Sequence, residues 1–465
     1  MNSVEAVILD SLRATLARYA TKTVWIAYSG GMDSRVLLDA AVTLQHELQK
    51  QLRVIHIHHG LHSLADNWAR HCQQICVTLQ VPCEVIRVQV NTQRGESIEA
   101  QARLARYAAL QNYVGNDEVL LTAQHQNDQA ETLLLQLFRG AGVAGLAAMP
   151  AVSRLGLGWL VRPFLNIAQQ QLREYAQQKN LQWIEDDSNQ NTRFDRNFLR
   201  HEIMPHLQSR WQQIHAVLSR TAQHQAEAQD LLTELGNEDL THCLSKQFSN
   251  AISLMELNQL SAARQRNAVR TWLKQCHLSM PSTQQLHAIL DTMQHAPQDR
   301  QPRIAWADGE VRRYQACLFA LSALPPVADF PAMTWDVRQN LSLPFGKLRA
   351  KSTLGKGVRL PESATVQIRW RRGGERCRWR GHQREIKKLL QQAHIPPWLR
   401  PFLPLVYVEN ILIAIPNLLI CDDFSVGSHE VGWEIFWEGA DGLSLIPISK
   451  LNIEKNVSLK INNCR

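Results

Sequence analysis

The hexapeptide Ser29-Gly30-Gly31-Met32-Asp33-Ser34 constrains this chain more than any other stretch. It lies between an apolar run, Val24–Tyr28, and a helical pattern carried by Val36, Leu37, Ala40, Ala41 and Leu44. That order reads as strand, glycine turn and helix N-terminus. Two adjacent glycines allow a tight bend and a close backbone approach to a ligand. The helix start adds unpaired N–H groups and the positive end of a dipole, which together suit an anion. Ser29 and Ser34 add hydroxyl donors. A carboxylate beside a phosphate is repulsive unless a cation lies between them, so Asp33 reads as a Mg²⁺ ligand. The six residues form a pyrophosphate cradle, which points to cleavage of ATP between its α and β phosphates. A plain glycine-rich turn is the alternative.

Two common nucleotide motifs are missing. The loop G-x-x-x-x-G-K-[ST] does not occur, because Gly346-Lys347 and Gly355-Lys356 lack its other members, and no G-x-G-x-x-G follows the strand. The sequence S-G-G-x-D-S instead resembles the signature of the PP-loop ATP pyrophosphatases.

Strand and helix patterns alternate over residues 1–215. Strand candidates are Val24–Tyr28, Leu52–His58, Cys83–Val90, Glu118–Ala123 and Trp159–Val161, all rich in Val, Ile and Leu. Helical segments fall at Asp33–Gln49, Ala65–Leu79, Ile98–Tyr113 and Asp128–Arg139. Ser63 with Asp66, and Asp128 with Glu131, predict capping boxes; Gly140 predicts a helix stop. Repeated βα units imply an α/β fold with a doubly wound parallel sheet and ligands at the carboxyl ends of the strands. Residues 216–330 read as an α-helical domain, closed by a linker at Pro325-Pro326 and Pro331. Residues 341–438 read as a small α+β domain with β-like runs at Val366–Trp370 and Tyr407–Ile415 and a helix near Arg384–Gln392. Residues 439–465 form a polar tail expected to be loosely ordered.

Several function classes fall away on composition. No apolar run reaches the ~18 residues that span a bilayer, and no signal peptide is evident, so a cytoplasmic location is expected. The nine cysteines are scattered and form no C-x-x-C pair, which predicts free thiols. The net charge of +8 is compatible with nucleic acid without requiring it.

Other chemistry-bearing segments lie downstream. His58-His59 end the second strand candidate and either contact nucleotide or serve structure. His125 and Asp128 sit where the fourth strand gives way to a helix, so His125 is placed to donate to phosphate and Asp128 to ligate Mg²⁺ or cap the helix. Glu185-Asp186-Asp187 and Arg196 with Arg200 follow. The C-terminal region carries Arg369, Arg371, Arg372, Arg376, Arg378, Arg380, Arg384, Lys387 and Lys388 interleaved with Trp370 and Trp379. Such a pattern neutralises phosphates and stacks on unpaired bases, or is a solvated basic face.

In order, these pieces resemble the tRNA(Ile)-lysidine synthases. The likeness runs from Ser29–Ser34 through His58-His59-Gly60-Leu61, Arg103, Arg106-Tyr107, Thr122–Thr132, Arg139–Gly142, Trp183–Asn189 and Arg196–Arg200 to Arg371–Glu375 and Lys387-Lys388. It implies an adenine-nucleotide alpha-hydrolase-like fold. It also implies ligation of free L-lysine to C2 of the wobble cytidine of tRNA(Ile) with a CAU anticodon, through an adenylated base. ATP and Mg²⁺ are the implied cofactors. Ser29, Gly30, Gly31, Met32, Asp33 and Ser34 would hold ATP, Asp33 and Asp128 the metal. Asp33, His125 and Arg200 would be catalytic; Glu185-Asp186-Asp187 would receive the lysine ammonium. Arg369, Arg371, Arg372, Arg378, Lys387 and Lys388 would contact tRNA. A homodimer is left open. The sequence departs from the family at Asn127, where the usual H-H-x-D-D-Q has a carboxylate. The competing readings are a PP-loop tRNA thiolation enzyme and a catalytically silent tRNA-binding protein.

Overall fold

A computed structural model describes residues 3–60, 62–90, 98–248, 251–297, 300–324, 326, 330–360 and 365–439. Pro325 of the expected linker and residues 440–465 of the expected tail lie outside the described residues. The chain divides into two compact units, with the break between Leu231 and Leu232.

The first unit opens with α1 (Val4–Leu16), β1 (Thr23–Ala27), α2 (Met32–Leu44), β2 (Gln51–His58), α3 (Ala65–Thr78) and β3 (Cys83–Arg87). It continues through α4 (Ile98–Gln111), β4 (Val119–Leu121), α5 (Gln126–Phe138), the short α6 (Val143–Leu146), β5 (Val152–Leu155), β6 (Gly158–Val161) and α7 (Gln169–Gln178). Then come α8 (Asp195–Phe198), a π-helical turn (Leu199–Ile203), α9 (Met204–Arg210) and α10 (Ile214–Cys243), within which the break falls.

The sheet order is β3-β2-β1-β4-β6-β5, parallel throughout except that β5 runs antiparallel to β6. This is the expected doubly wound sheet. Alternation builds its two faces. Val24 and Ile26 pack with Ile8, Leu12, Val36 and Leu37 on one side, while Trp25 packs with Ile55, Leu110, Leu120 and Leu160 on the other. β1 lies between β2 and β4, so connections depart from it in both directions and open a crevice at its carboxyl end. The sequence pattern does not show α1, β5, α7 or the short helices α6, α8 and α9.

The second unit holds β7 (Ala251–Ser253), α11 (Leu254–Leu257), α12 (Ala262–Gln275), α13 (Thr283–His295), β8 (Arg303–Ala305), β9 (Gly309–Tyr314) and β10 (Cys317–Ser322). The region expected to be helical therefore also carries a four-stranded antiparallel sheet, β7-β10-β9-β8. There follow β11 (Met333–Trp335), β12 (Leu341–Leu343), β13 (Gly346–Leu354), β14 (Val366–Trp370), β15 (Arg376–Trp379), β16 (His382–Glu385), α14 (Ile386–Gln392), β17 (Pro404–Val408), β18 (Ile411–Ile415), β19 (Leu419–Ile420) and β20 (Val431–Gly439). Phe248, Ala251, Phe319 and Leu321 share one core with Ile368, Leu390, Phe402 and Val406. The helical and C-terminal segments, read separately from sequence, thus have a common interior.

Candidate active site

The chain leaves β1 and bends through Ser29–Gly31 before α2 begins. Gly30 has φ +91°, a conformation natural to glycine. A Cβ there would stand 2.7 Å from Ile184 Cδ1 and 3.1 Å from Cys72 Sγ. The Ile184 amide donates to the Gly30 carbonyl at 2.9 Å, which anchors the segment before the acidic run against the loop. Two hydroxyls brace the bend. Ser34 Oγ donates to the Gly31 carbonyl at 2.9 Å and accepts from the Ser29 amide at 3.2 Å. Ser29 Oγ accepts from the Gly31 amide at 3.3 Å. Gly31 caps α2 without a side chain, so the amides of Met32, Asp33 and Ser34 have no intrahelical acceptor. Met32 buries its side chain in the core and offers only its amide.

A second corner forms where β4 gives way to α5. The N-cap is His125: its Nδ1 accepts from the Asp128 amide at 3.4 Å, and Asp128 Oδ2 accepts from the His125 amide at 3.1 Å. This corrects the expected box at Asp128 and Glu131, which lies three residues too late. The box expected at Ser63 and Asp66 is absent as well. The N-cap of α3 is Leu64 without a side-chain bond, and Asp66 instead takes His58 Nε2 at 3.2 Å and Arg87 Nη2 at 2.7 Å.

The two corners meet. His125 Nε2 lies 3.5 Å from Asp33 Oδ2 and 3.5 Å from Asp128 Oδ2. Burial by itself lowers the His125 pKa, but Asp128, Asp33 and Glu131 outweigh it and the net shift is upward. Full protonation would put an N–H on Nδ1 against the Asp128 amide, so the imidazolium would lose that long capping bond.

Glu131, almost wholly buried, is the hub of an ion cluster. Arg196 Nε donates to its Oε2 at 2.8 Å, Arg200 Nε to its Oε1 at 2.7 Å and Arg200 Nη2 to its Oε2 at 2.9 Å. Both guanidiniums also reach Asp128 Oδ1, at 3.0 and 3.2 Å. The arginines come from α8 and the π-helical turn, a distortion often found at functional sites. The Arg200 pKa is lowered by burial and raised on balance by Glu131, Asp128 and Asp33, so Arg200 also feels the carboxylate of the glycine loop. Three carboxylates thus face two guanidiniums and an imidazole. The role of Glu131 was not foreseen from the sequence. The signal was the spacing: Asp128 and Glu131 at i, i+3, and Arg196 and Arg200 at i, i+4, each form a one-sided charge stripe.

Buried polar atoms without partners mark the crevice. Asp33 Oδ1, His59 Nδ1, Thr122 Oγ1 and Gln124 Oε1 all lie at or just beyond the carboxyl ends of β1, β2 and β4. Orphaned polar atoms of this kind call for a ligand or water. His59 is driven to about 4, first by burial and then by Arg106, His56 and His58, so it is neutral at physiological pH.

Mg²⁺ takes one or two carboxylates and completes its shell with phosphates and water. Asp33, with a free buried oxygen beside unpaired amides, fits that demand. Asp128 has partners on both oxygens, and an ion there would displace an arginine. No group of three or more His, Cys, Asp or Glu among the described residues is arranged to hold a metal. Asn127 Oδ1 accepts from the Gln169 amide at 3.3 Å, at the start of α7, a contact an amide makes as well as a carboxylate.

In the second unit the hairpin β15–β16 turns Arg376 and Arg378 to solvent and Cys377 inward. Lys387 and Lys388 are exposed in the first turn of α14, where positive charge opposes the helix dipole. Arg372 is exposed too. Arg369 is engaged: it donates to Gln367, Glu409 and Asn410 and lies 4.7 Å over the Tyr407 ring. Arg371 Nε pairs with Glu375 Oε2 at 3.4 Å. All eight described cysteines are free thiols, as expected.

Comparison with known proteins bears on the fold and the family. A family model described as a PP-loop domain matches residues 5–207. Models described as a TilS substrate binding domain and a TilS substrate C-terminal domain match residues 253–319 and 366–437. Fold and site define a PP-loop enzyme that uses ATP. A tRNA(Ile)-lysidine synthase of Coxiella burnetii is 43% identical over 415 residues, covering 88% of this chain and 92% of the relative. One of Serratia proteamaculans is 41% identical, covering 92% and 99%. The chain belongs to the tRNA(Ile)-lysidine synthase family. Among solved structures, a U34-tRNA thiolase from Methanococcus maripaludis is similar over 48% of this chain and 79% of its own, with 12% identity and a TM-score of 0.42. No described helix is long and apolar enough to cross a membrane.

Proposed function

We propose that this chain adenylates the C2 oxygen of the wobble cytidine of tRNA(Ile) with ATP, releases pyrophosphate, and joins L-lysine to C2 as AMP departs. One observation carries the proposal: the glycine loop sets three unpaired amides and an unpartnered Asp33 oxygen beside His125, whose Nε2 stands 3.5 Å from the other Asp33 oxygen, at the sheet's switch point. The amides of Met32, Asp33 and Ser34 hold the β-phosphate side of ATP. Asp33 would hold Mg²⁺, which supplies charge neutralisation for the leaving pyrophosphate. His125, biased toward its charged form, and the Arg200 guanidinium face the α-phosphate, where negative charge builds. Glu131 and Asp128 fix the arginines, and Asp128 joins the metal only if its Oδ1 leaves them.

The acidic run Glu185-Asp186-Asp187 begins one residue after the Ile184–Gly30 hydrogen bond, a placement that suits the lysine ammonium. An anticodon-loop base is unpaired and enters such a pocket without melting a duplex. Arg372, Arg378, Lys387 and Lys388 are exposed cations offered to the tRNA backbone. The test is mass spectrometry of anticodon nucleosides after incubation with ATP and lysine. Lysidine is expected from the native protein and none from Asp33→Ala. Incorporated sulfur, or an unchanged cytidine with native protein, would refute the reading.

A further inference from the structure

The carboxyl edge of the sheet carries orphaned polar atoms on the face that α4 covers, opposite α2. Leu120 of β4 and Leu160 of β6 share a core with Leu110 and Tyr107 of α4. Side chains alternate along a strand, so Thr122 and Arg162, two residues further on, leave from that same face. They stand side by side: Leu121 and Val161 are in register, and the Thr122 amide donates to the Val161 carbonyl at 3.0 Å. Both are more than nine-tenths buried, with 7% and 6% exposure. Thr122 Oγ1 and Arg162 Nε have no partner, while Arg162 Nη1 donates to the Pro150 carbonyl at 2.7 Å.

α4 follows β3 and returns against the strands, so its first turns reach their carboxyl ends. Arg103 stands there, exposed, with its guanidinium 5.1 Å over the Tyr107 ring. Among the described residues no carboxylate pairs with Arg103 or Arg162. The Arg162 pKa is lowered, first by burial; Tyr107 and its hydrogen bond pull it partly back, and the Arg103 charge lowers it again. Arg196 and Arg200, by contrast, are neutralised by Glu131 and Asp128. A buried cation without a counter-charge is costly, and a bound anion removes that cost.

The phosphates of ATP have their own donors in the amides of the glycine loop, at the start of α2. Each remaining substrate of the ligase reading, on which this inference rests, carries a singly charged oxyanion. One is a phosphodiester of the tRNA anticodon loop, the other the α-carboxylate of lysine. Guanidinium N–H groups suit both. We propose that Arg103, Arg162 and Thr122 form a second oxyanion site, on the α4 face of the carboxyl edge, that holds one of these two groups. Arg103 is the exposed donor; Arg162 Nε and Thr122 Oγ1 donate from the buried side.

The full-length protein with Arg103→Gln, Arg103→Lys and Arg162→Gln tests this with two readouts: tRNA affinity across a salt series, and the KM for lysine in lysidine formation. Calorimetry with ATP is the control for an intact nucleotide site. A phosphodiester in the site predicts that Arg103→Gln lowers the slope of log K against log salt by about 0.7, that Arg103→Lys restores it, and that the KM for lysine is unmoved. A carboxylate predicts an unchanged slope and a KM for lysine raised roughly tenfold or more. Arg162→Gln should move the same readout as Arg103→Gln. Native slope and native KM in Arg103→Gln would overturn the site. So would an Arg162→Gln protein changed only in melting temperature, or ATP binding lost in step with either readout. Absence of lysidine with the native protein would instead sink the ligase reading, and the salt slope would still judge the site.

Discussion

Glu131 is a charge with almost no exposure, held by guanidiniums from residues 65 and 69 positions away. Removing one side of such a buried set leaves the other uncompensated, which costs ~3–5 kcal/mol when desolvation is complete. Here Arg196 and Arg200 keep 25% and 31% of their side-chain surface, so the lower end applies. Glu131→Gln should lose about 3 kcal/mol of stability in the first unit, read by urea titration; an unchanged midpoint would show that the cluster is loose. His59 gives a pH signature. Its folded pKa of about 4 lies below the unfolded value near 6.5, so its contribution is intact above pH ~6.5 and lost as pH falls toward 4. The melting temperature of His59→Gln relative to native should therefore rise steadily as pH is lowered from about 6.5 to 4. His125 has the opposite sign: what it adds is present below ~6.5 and fades as pH climbs through its raised pKa.

At the scale of elements, two βα corners make the site and a third segment locks them. Gly30 serves both the left-handed bend and the close packing of Ile184. Gly30→Ala should cost at least ~1–2 kcal/mol for the backbone alone and weaken ATP binding by more than tenfold, since the new methyl must push Ile184 and the acidic run aside. Isothermal calorimetry checks it; native-like affinity would mean the loop is not the phosphate site. The strand and helix patterns around these corners were legible because they depend on neighbours two to four residues away. The cap of α5 was misplaced because a histidine Nδ1 can serve as an N-cap acceptor, which residue preference disfavours. β5 escaped because its four residues lie on the sheet edge, paired only to β6.

For the whole molecule, the first unit carries the nucleotide chemistry and the second carries a basic face. The C-terminal cations divide by environment. Arg369 and Arg371 are bound within the fold, while Lys387 and Lys388 are exposed. Replacing Lys387 and Lys388 by Ala should lower the slope of log K against log salt for tRNA by about 0.7–0.9 for each phosphate left without its lysine. Arg369→Ala should reduce thermal stability with little change in slope. A slope that responds to Arg369 and ignores the lysines would reverse the assignment.

The sequence by itself determined the alternating βα order, the glycine loop, the helix stop at Gly140 and the family, since each is written in residues that are near neighbours along the chain. It also singled out Asp33, His125 and Arg200 as candidate site residues. Only the tertiary structure decided that Asp33 meets His125 across 92 positions, that Asp128 spends its oxygens on arginines, and that Glu131 is a buried hub. The reason is physical: burial and pairing energies belong to the crevice where separate strands end, and no local pattern records which side chains will share it.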